Sequence, residues 1–161
     1  MGVDGFTLPA LLRLWNSQCS HLKPDLITIL IGVNDVGVIK NTDANAAFAL
    51  EEFKIGCKTL IERIQDQCSC LIILMEPFIF PHPDEYRLWK PELAKISNIL
   101  REISSEYSLT FIPLWDSLLL AAKKYGYDAI TLDGIHLTDA GHAILEDSWL
   151  TAYHKFQTDH A

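Results

Sequence analysis

Three short aliphatic runs, 26–31, 71–75 and 109–114, alternate with longer segments of helical periodicity, and this alternation constrains the fold more than any other feature. The first run reads Leu-Ile-Thr-Ile-Leu-Ile and the second Leu-Ile-Ile-Leu-Met, with no regular polar position in either. A continuous apolar run of strand length predicts a strand covered on both faces, whereas a half-solvated strand would alternate. Apolar residues recur at helical spacing over Leu8 to Leu22, over Ala46 to Ile64 and from Leu93 to Tyr107. Helices between buried strands joined by short connections predict a parallel sheet with helices on both faces, an α/β fold of three layers, α/β/α.

Local signals place the ends. Thr7 is a candidate N-cap with Pro9 in the first turn, and Lys23-Pro24 stops that helix. Gly32-Val33-Asn34-Asp35 ends the first strand, and Asp43 begins a second helix that runs to about Gln67. The stretch from Pro77 to Trp89, with prolines at 77, 81 and 83, predicts an irregular loop; Pro91 then falls in a helical first turn. Asp116 is placed to cap a short helix ending at Gly126, and Thr138 to cap a last one with Leu145, Trp149, Ala152 and Phe156 inward. In such sheets ligands bind beyond the carboxyl ends of the strands, so the loops starting at Gly32, Glu76 and Trp115 are candidate site loops.

The 161 residues suit one domain spanning 1–161, and no linker or repeat interrupts them. A net charge of -8 with dispersed Lys and Arg argues against nucleic acid and anionic membrane as partners. No apolar stretch reaches bilayer length, and no signal peptide opens the chain, which suggests a cytoplasmic protein. Cys19, Cys57, Cys68 and Cys70 lack zinc-site spacing and read as free thiols of a reducing compartment, so no metal is expected. No phosphate-binding loop rich in Ser, Thr or Gly follows a strand, which disfavours a flavodoxin-like cofactor binder; no cofactor is expected.

Chemistry concentrates near the C-terminus. In Asp133-Gly134-Ile135-His136 a carboxylate three residues before an imidazole, turned by a glycine, is able to accept the Nδ1 proton and leave Nε2 as a general base. By itself this arrangement is equally a capped turn beside a satisfied histidine. Two further blocks stand in order with it: Gly2-Val3-Asp4-Gly5-Phe6-Thr7 before the first helix and Gly32-Val33-Asn34-Asp35 after the first strand. Together they resemble the second, third and fifth motif blocks of the SGNH hydrolases, the GDSL-type esterases, and most resemble bacterial esterases of acetylated sugars. The resemblance extends to the Leu74-Met75-Glu76-Pro77-Phe78 strand end and the Ala140-Gly141-His142-Ala143 helix opening.

The resemblance implies a flavodoxin-like sheet and a serine esterase acting on short acyl, above all acetyl, esters of a carbohydrate. It implies His136 as general base, Asp133 as its orienting carboxylate, and the Gly5 backbone N–H and Asn34 side-chain amide as oxyanion donors. Asp35 is assigned to holding the loop. The family's nucleophile is the serine of a Gly-Asp-Ser motif on a strand preceding the Gly5 block, and these residues contain no such segment. The fold is therefore expected to lack its first two strands, and the chain as given to be inactive. Trp115-Asp116-Ser117 imitates the motif without its glycine and reads as a helix start; Ser17, Ser20 and Ser148 fall inside predicted helices. His142 has no ligand set around it, and Phe78, Phe80, Tyr86 and Trp89 are candidate walls of a substrate pocket. An alternative is a non-catalytic module that binds esters or carbohydrate with the same pocket. With the strand beside residues 26–31 missing, that aliphatic edge is expected to self-associate or to take a strand from elsewhere.

Overall fold

A computed structural model describes residues 4–19, 21–42 and 45–159. Gly2, Val3, Ser20 and the predicted helix start at Asp43 lie outside the described residues. In chain order the elements are α1 (Leu8–Leu14), extended by one wider turn over Trp15–Cys19, β1 (Leu26–Leu30), α2 (Val33–Asn41), α3 (Ala46–Gln67), β2 (Leu71–Met75), α4 (Lys90–Glu106), β3 (Thr110–Ile112), α5 (Trp115–Tyr125), α6 (Tyr127–Ile130) and α7 (Asp139–Asp159). The three strands form one parallel sheet in the order β1-β2-β3, with Leu26 opposite Leu71 and Ile73 opposite Thr110.

Strand β2 shows why the sheet needs two helical layers. Ile72 and Leu74 pack into a core with Leu8, Phe53, Ile61 and Leu100, the layer of α1, α3 and α4. Ile73 and Met75 point the other way, into a core with Leu118, Ala122 and Ile130 that α5, α6 and α7 close. Alternate residues of one apolar run thus serve opposite faces. The prediction of full cover holds for β2 and not for β1. Ile29 is buried, but Thr28 and Leu30 are exposed, Leu30 at 43%; on that face Trp149 of α7 reaches the strand, its Nε1 donating to Thr28 Oγ1 at 3.0 Å.

The residues read as a strand-ending loop open a helix instead: Val33-Asn34-Asp35 is the first turn of α2, with Gly32 before it. Gly32 has φ +123°, and a Cβ there would lie 2.7 Å from Ile96 Cγ2, so both backbone and packing require glycine. Asn45 caps α3, its side chain accepting from Ala47 N and Phe48 N. The start of α5 is held by a remote group rather than by Asp116. Glu76, buried at the end of β2, accepts from the backbone N–H of Leu114 (2.9 Å) and Trp115 (3.1 Å) with one oxygen, and from Ser97 Oγ and Arg101 Nη2 with the other. Among the described residues no helix is long and apolar enough to cross a membrane.

Candidate active site

The segment 131–138 is a tight loop closed by an antiparallel bridge between Thr131 and Leu137. Thr131 Oγ1 donates to His136 O and accepts from Gly134 N, each at 2.8 Å, and Leu132 N donates to the same His136 carbonyl. Gly134 has φ +95°, and a Cβ on it would fall 2.1 Å from the His82 carbonyl oxygen. Its own carbonyl accepts from Phe80 N at 2.9 Å, which pins the loop onto the segment after β2. Asp133 Oδ1 accepts from Ile135 N (3.0 Å) and His136 N (2.8 Å), and Oδ2 lies 2.7 Å from His136 Nδ1. The backbone therefore aims the carboxylate before the ring meets it.

On its other side His136 Nε2 lies 3.2 Å from Oδ1 of Asp4. Hydrogen bonds from Asp133 and then Asp4 raise the His136 pKa above its ordinary value, against a smaller opposing effect of burial. For Asp133, burial favours the neutral acid, but the ring and the backbone N–H groups of His136 and Ile135 outweigh it and the pKa is lowered. The charged form of the ring is thus an imidazolium held between two carboxylates. Asp4 is the functional neighbour that sequence reasoning missed: it stands in the quoted Gly-Val-Asp-Gly block, yet nothing in the sequence marks a contact across 132 positions.

Gly5, Gly32, Asn34, Pro77, Phe78 and His136 are among the residues that line one cleft of about 270 Å³. Asn34 comes from the first turn of α2 and donates Nδ2 to Phe6 O at 3.1 Å, which leaves the second amide hydrogen for another acceptor. Asp133 stands behind the ring as its hydrogen-bond partner. Of the aromatic wall predicted from sequence, Phe78 lines the cleft, whereas Phe80 and Trp89 do not. Phe80 is fully buried in the second core, edge-on to Tyr127, because Phe80 N is drawn to Gly134 O. Trp89 lies on α2, where its ring occupies the space that Gly37 leaves by lacking a Cβ, and Tyr86 packs against it at 4.8 Å.

The remaining candidates sort by their partners. Ser117, Ser17 and Ser148 each donate to a backbone carbonyl of the preceding turn and none is bonded to His136. Among the described residues no group of three or more His, Cys, Asp or Glu is placed to hold a metal, His142 included. Asp35 binds Leu8 N at 2.9 Å and so ties the start of α1 to α2, while its Oδ2 is buried without a partner. Burial raises its pKa to about 6 despite that hydrogen bond.

The structure is a parallel α/β sheet with an aspartate-bonded histidine, and that histidine shares a cleft with Gly5 and Asn34. The sequence model of the GDSL-like Lipase/Acylhydrolase family matches residues 1–144, and the chain belongs to that family. It is 25% identical over 153 residues to an acetylxylan esterase of Geobacillus stearothermophilus, covering 92% of this chain and 68% of that relative. The crystal structure of Axe2, an acetylxylan esterase of the same organism, superposes with a TM-score of 0.78 at 24% identity, over 94% of this chain and 69% of Axe2. A protein of Parabacteroides merdae ATCC 43184 described as a GDSL-like lipase gives 0.80 at 24% identity, over 94% and 70%. These likenesses establish the fold of the SGNH hydrolases for this chain.

Proposed function

We propose that this chain supplies the base and the oxyanion donors of a serine ester hydrolase that removes short acyl groups, acetyl first, from a carbohydrate. The observation that carries the reading is the 2.7 Å contact of Asp133 with His136 Nδ1, with Nε2 beside the cleft that Gly5 and Asn34 line. In this mechanism a serine Oγ from a segment outside these residues attacks the ester carbonyl. His136 Nε2 takes its proton and returns it to the leaving alcohol, and Asp133 keeps the ring's N–H on Nδ1. The Gly5 N–H and the second amide hydrogen of Asn34 meet the developing oxyanion, each such donor being worth a few kcal/mol of barrier. The acetylxylan esterase of G. stearothermophilus supports acetyl groups on a sugar as the first substrates to try.

The test is complementation. A Gly-Asp-Ser segment fused upstream or added in trans is expected to give turnover of p-nitrophenyl acetate and of acetylated xylo-oligosaccharides. Without it no appreciable turnover is expected. Because the base must be neutral and its pKa is raised, the rate should climb with pH through a midpoint above that of an ordinary histidine. Asp4 on Nε2 favours a second reading, a module that binds the acylated sugar without cleaving it. Saturable binding of the acetylated oligosaccharide with no turnover after complementation would select it.

The same proposal assigns the open side of β1 to a strand from that segment or, failing it, to a second copy of this chain. Leu26, Thr28 and Leu30 border a groove of about 370 Å³ against Trp15, Cys19 and Leu22, and aliphatic edges of this kind recruit strands. Light scattering over a concentration series should show association of the chain alone and a defined complex once the segment is added. A monomer at every concentration would refute the edge assignment.

A further inference from the structure

Away from the cleft, at the amino ends of the strands, the link from α3 to β2 is Cys68-Ser69-Cys70. Cys68 ends α3, its N–H bonding Ile64 O at 2.9 Å, and its extended backbone (φ -148°, ψ 143°) starts a strand-like link in which residues two apart share a side. The two sulfurs lie 3.0 Å apart. Cys68 Sγ also lies 3.3 Å from Ile64 O, so its S–H points at that carbonyl and its lone pair receives the Cys70 thiol. Both thiols are half-buried, Ser69 is exposed, and the pair stands at the rim of a cavity of about 970 Å³ shared with Tyr107 and Lys155. A small reagent therefore reaches these sulfurs, while Cys57 is buried in the first core.

We propose that Cys68 and Cys70 form a dithiol modification site, closed to an intramolecular disulfide by exchange with small disulfides. The sulfurs need to approach by only about 1 Å to reach bonding distance, and the link carrying them is short, tied to α3 by the Cys68 N–H. The chemistry balances in two exchanges. Cys68, as thiolate, attacks one sulfur of the reagent R–S–S–R, forms Cys68–S–S–R and expels one thiolate, which takes up a proton. Cys70 Sγ then loses its proton to solvent, attacks Cys68 Sγ and expels the second thiolate; two protein thiols are oxidised and one reagent disulfide is reduced to two thiols. Cys68 is assigned as the entry sulfur because it receives the Cys70 thiol, and burial foremost, then the neighbouring Cys68, pushes the Cys70 thiol up to about 12. Proximity offsets the low thiolate fraction of Cys70 in the second exchange.

The test treats the intact 161-residue chain with excess oxidised glutathione at pH 8 and maps the peptide between Arg63 and Arg87, which carries both cysteines after tryptic cleavage. The expected result is that this peptide loses two hydrogens and carries no glutathione, with dithiothreitol restoring it. Cys70→Ser should stop the sequence at the mixed disulfide, so the same peptide gains one glutathione on Cys68. An arsenical probe tests the pair without oxidation: phenylarsine oxide should stay bound against excess monothiol in the parent chain and be stripped from Cys70→Ser. Stable glutathione on either cysteine of the parent chain, an unchanged peptide, or an arsenical stripped equally from both proteins would overturn the proposal.

Discussion

Two acidic side chains act near the carboxyl end of the sheet, and their surroundings separate architecture from chemistry. Glu76 is 8% exposed and collects donors from three other places, Ser97 and Arg101 on α4 and the N–H groups at the start of α5. Asp133 is half-exposed and bonds within three residues of itself, to the Ile135 and His136 N–H groups and to the His136 ring. A carboxylate bonded across elements holds those elements together, whereas one bonded only to its own loop holds a ring in position. Changes at the first should therefore be read in stability, and changes at the second in catalysis.

The largest effect expected on either side of this divide is at His136. In the complemented protein, His136→Ala should lower kcat/KM by roughly 10⁴-fold or more, because the serine loses its base. At a pH where the ring is neutral, the stability of the same variant should stay within about 0.5 kcal/mol, the side chain being half-exposed. Retention of rate by His136→Ala would remove the chemical half of the comparison. Glu76→Ala should do the reverse: it leaves the Leu114 N–H and the Ser97 hydroxyl buried without an acceptor, at about 1–3 kcal/mol for each, so a loss of about 4 kcal/mol is expected in denaturant titration. An unchanged midpoint would show that the clamp does not hold α5.

Asp35 blurs the divide, being placed in the motif block of Asn34 yet bonded to the N–H of Leu8 on another element. Its folded pKa of about 6 lies above the unfolded value, so between these two the native state holds the extra proton and stability falls as pH rises. The loss is complete above about pH 6 and amounts to about 3 kcal/mol, taking 1.36 kcal/mol per pKa unit. Asp35→Asn keeps an acceptor for Leu8 N and should flatten that part of the pH–stability curve. A curve of unchanged slope would mean that Asp35 is ionised in the folded chain.

What the sequence made legible followed from patterns with a fixed period or a fixed local geometry. Strand β2 and helix α4 were readable because both faces of the one and a single face of the other are buried, and Asp133 with His136 because three residues and a glycine bring them together. Helix α2 was not readable: Gly32, Asn34, Asp35 and Gly37 look like a turn, and the helix persists because Val36 and Ile39 are buried and Trp89 fills the notch at Gly37. Phe80 and Trp89 were misplaced for the same reason, since an aromatic in a loop does not announce which core it will join. The exposed face of β1 was equally hidden, because an apolar run of strand length does not record which of its faces is left open. Contacts such as Asp4 with His136 and Glu76 with α5 depend wholly on chain folding and leave no local trace.

The smallest expected effect is also the finest test of how the ring is held. Asp133 and Asp4 both raise the His136 pKa, Asp133 more, so each removal should lower it and Asp133→Asn should lower it further than Asp4→Asn. A histidine whose folded pKa lies above its unfolded value contributes stability that is present in full below the unfolded pKa and is lost as pH rises through the folded one. Asp4→Asn should therefore narrow that window from its upper end and leave stability at high pH unchanged. The ring protons of His136, followed by NMR across the histidine range, report the shift directly, and the same variant in the complemented enzyme should move the rising limb of the rate profile to lower pH. Asp4 is 87% exposed, so added salt should shrink the difference between parent and Asp4→Asn while leaving most of the Asp133 effect in place. If Asp4→Asn moves neither the titration nor the rate profile, Nε2 is open to the cleft in solution, and the reading of this chain as a binding module loses the contact that favours it.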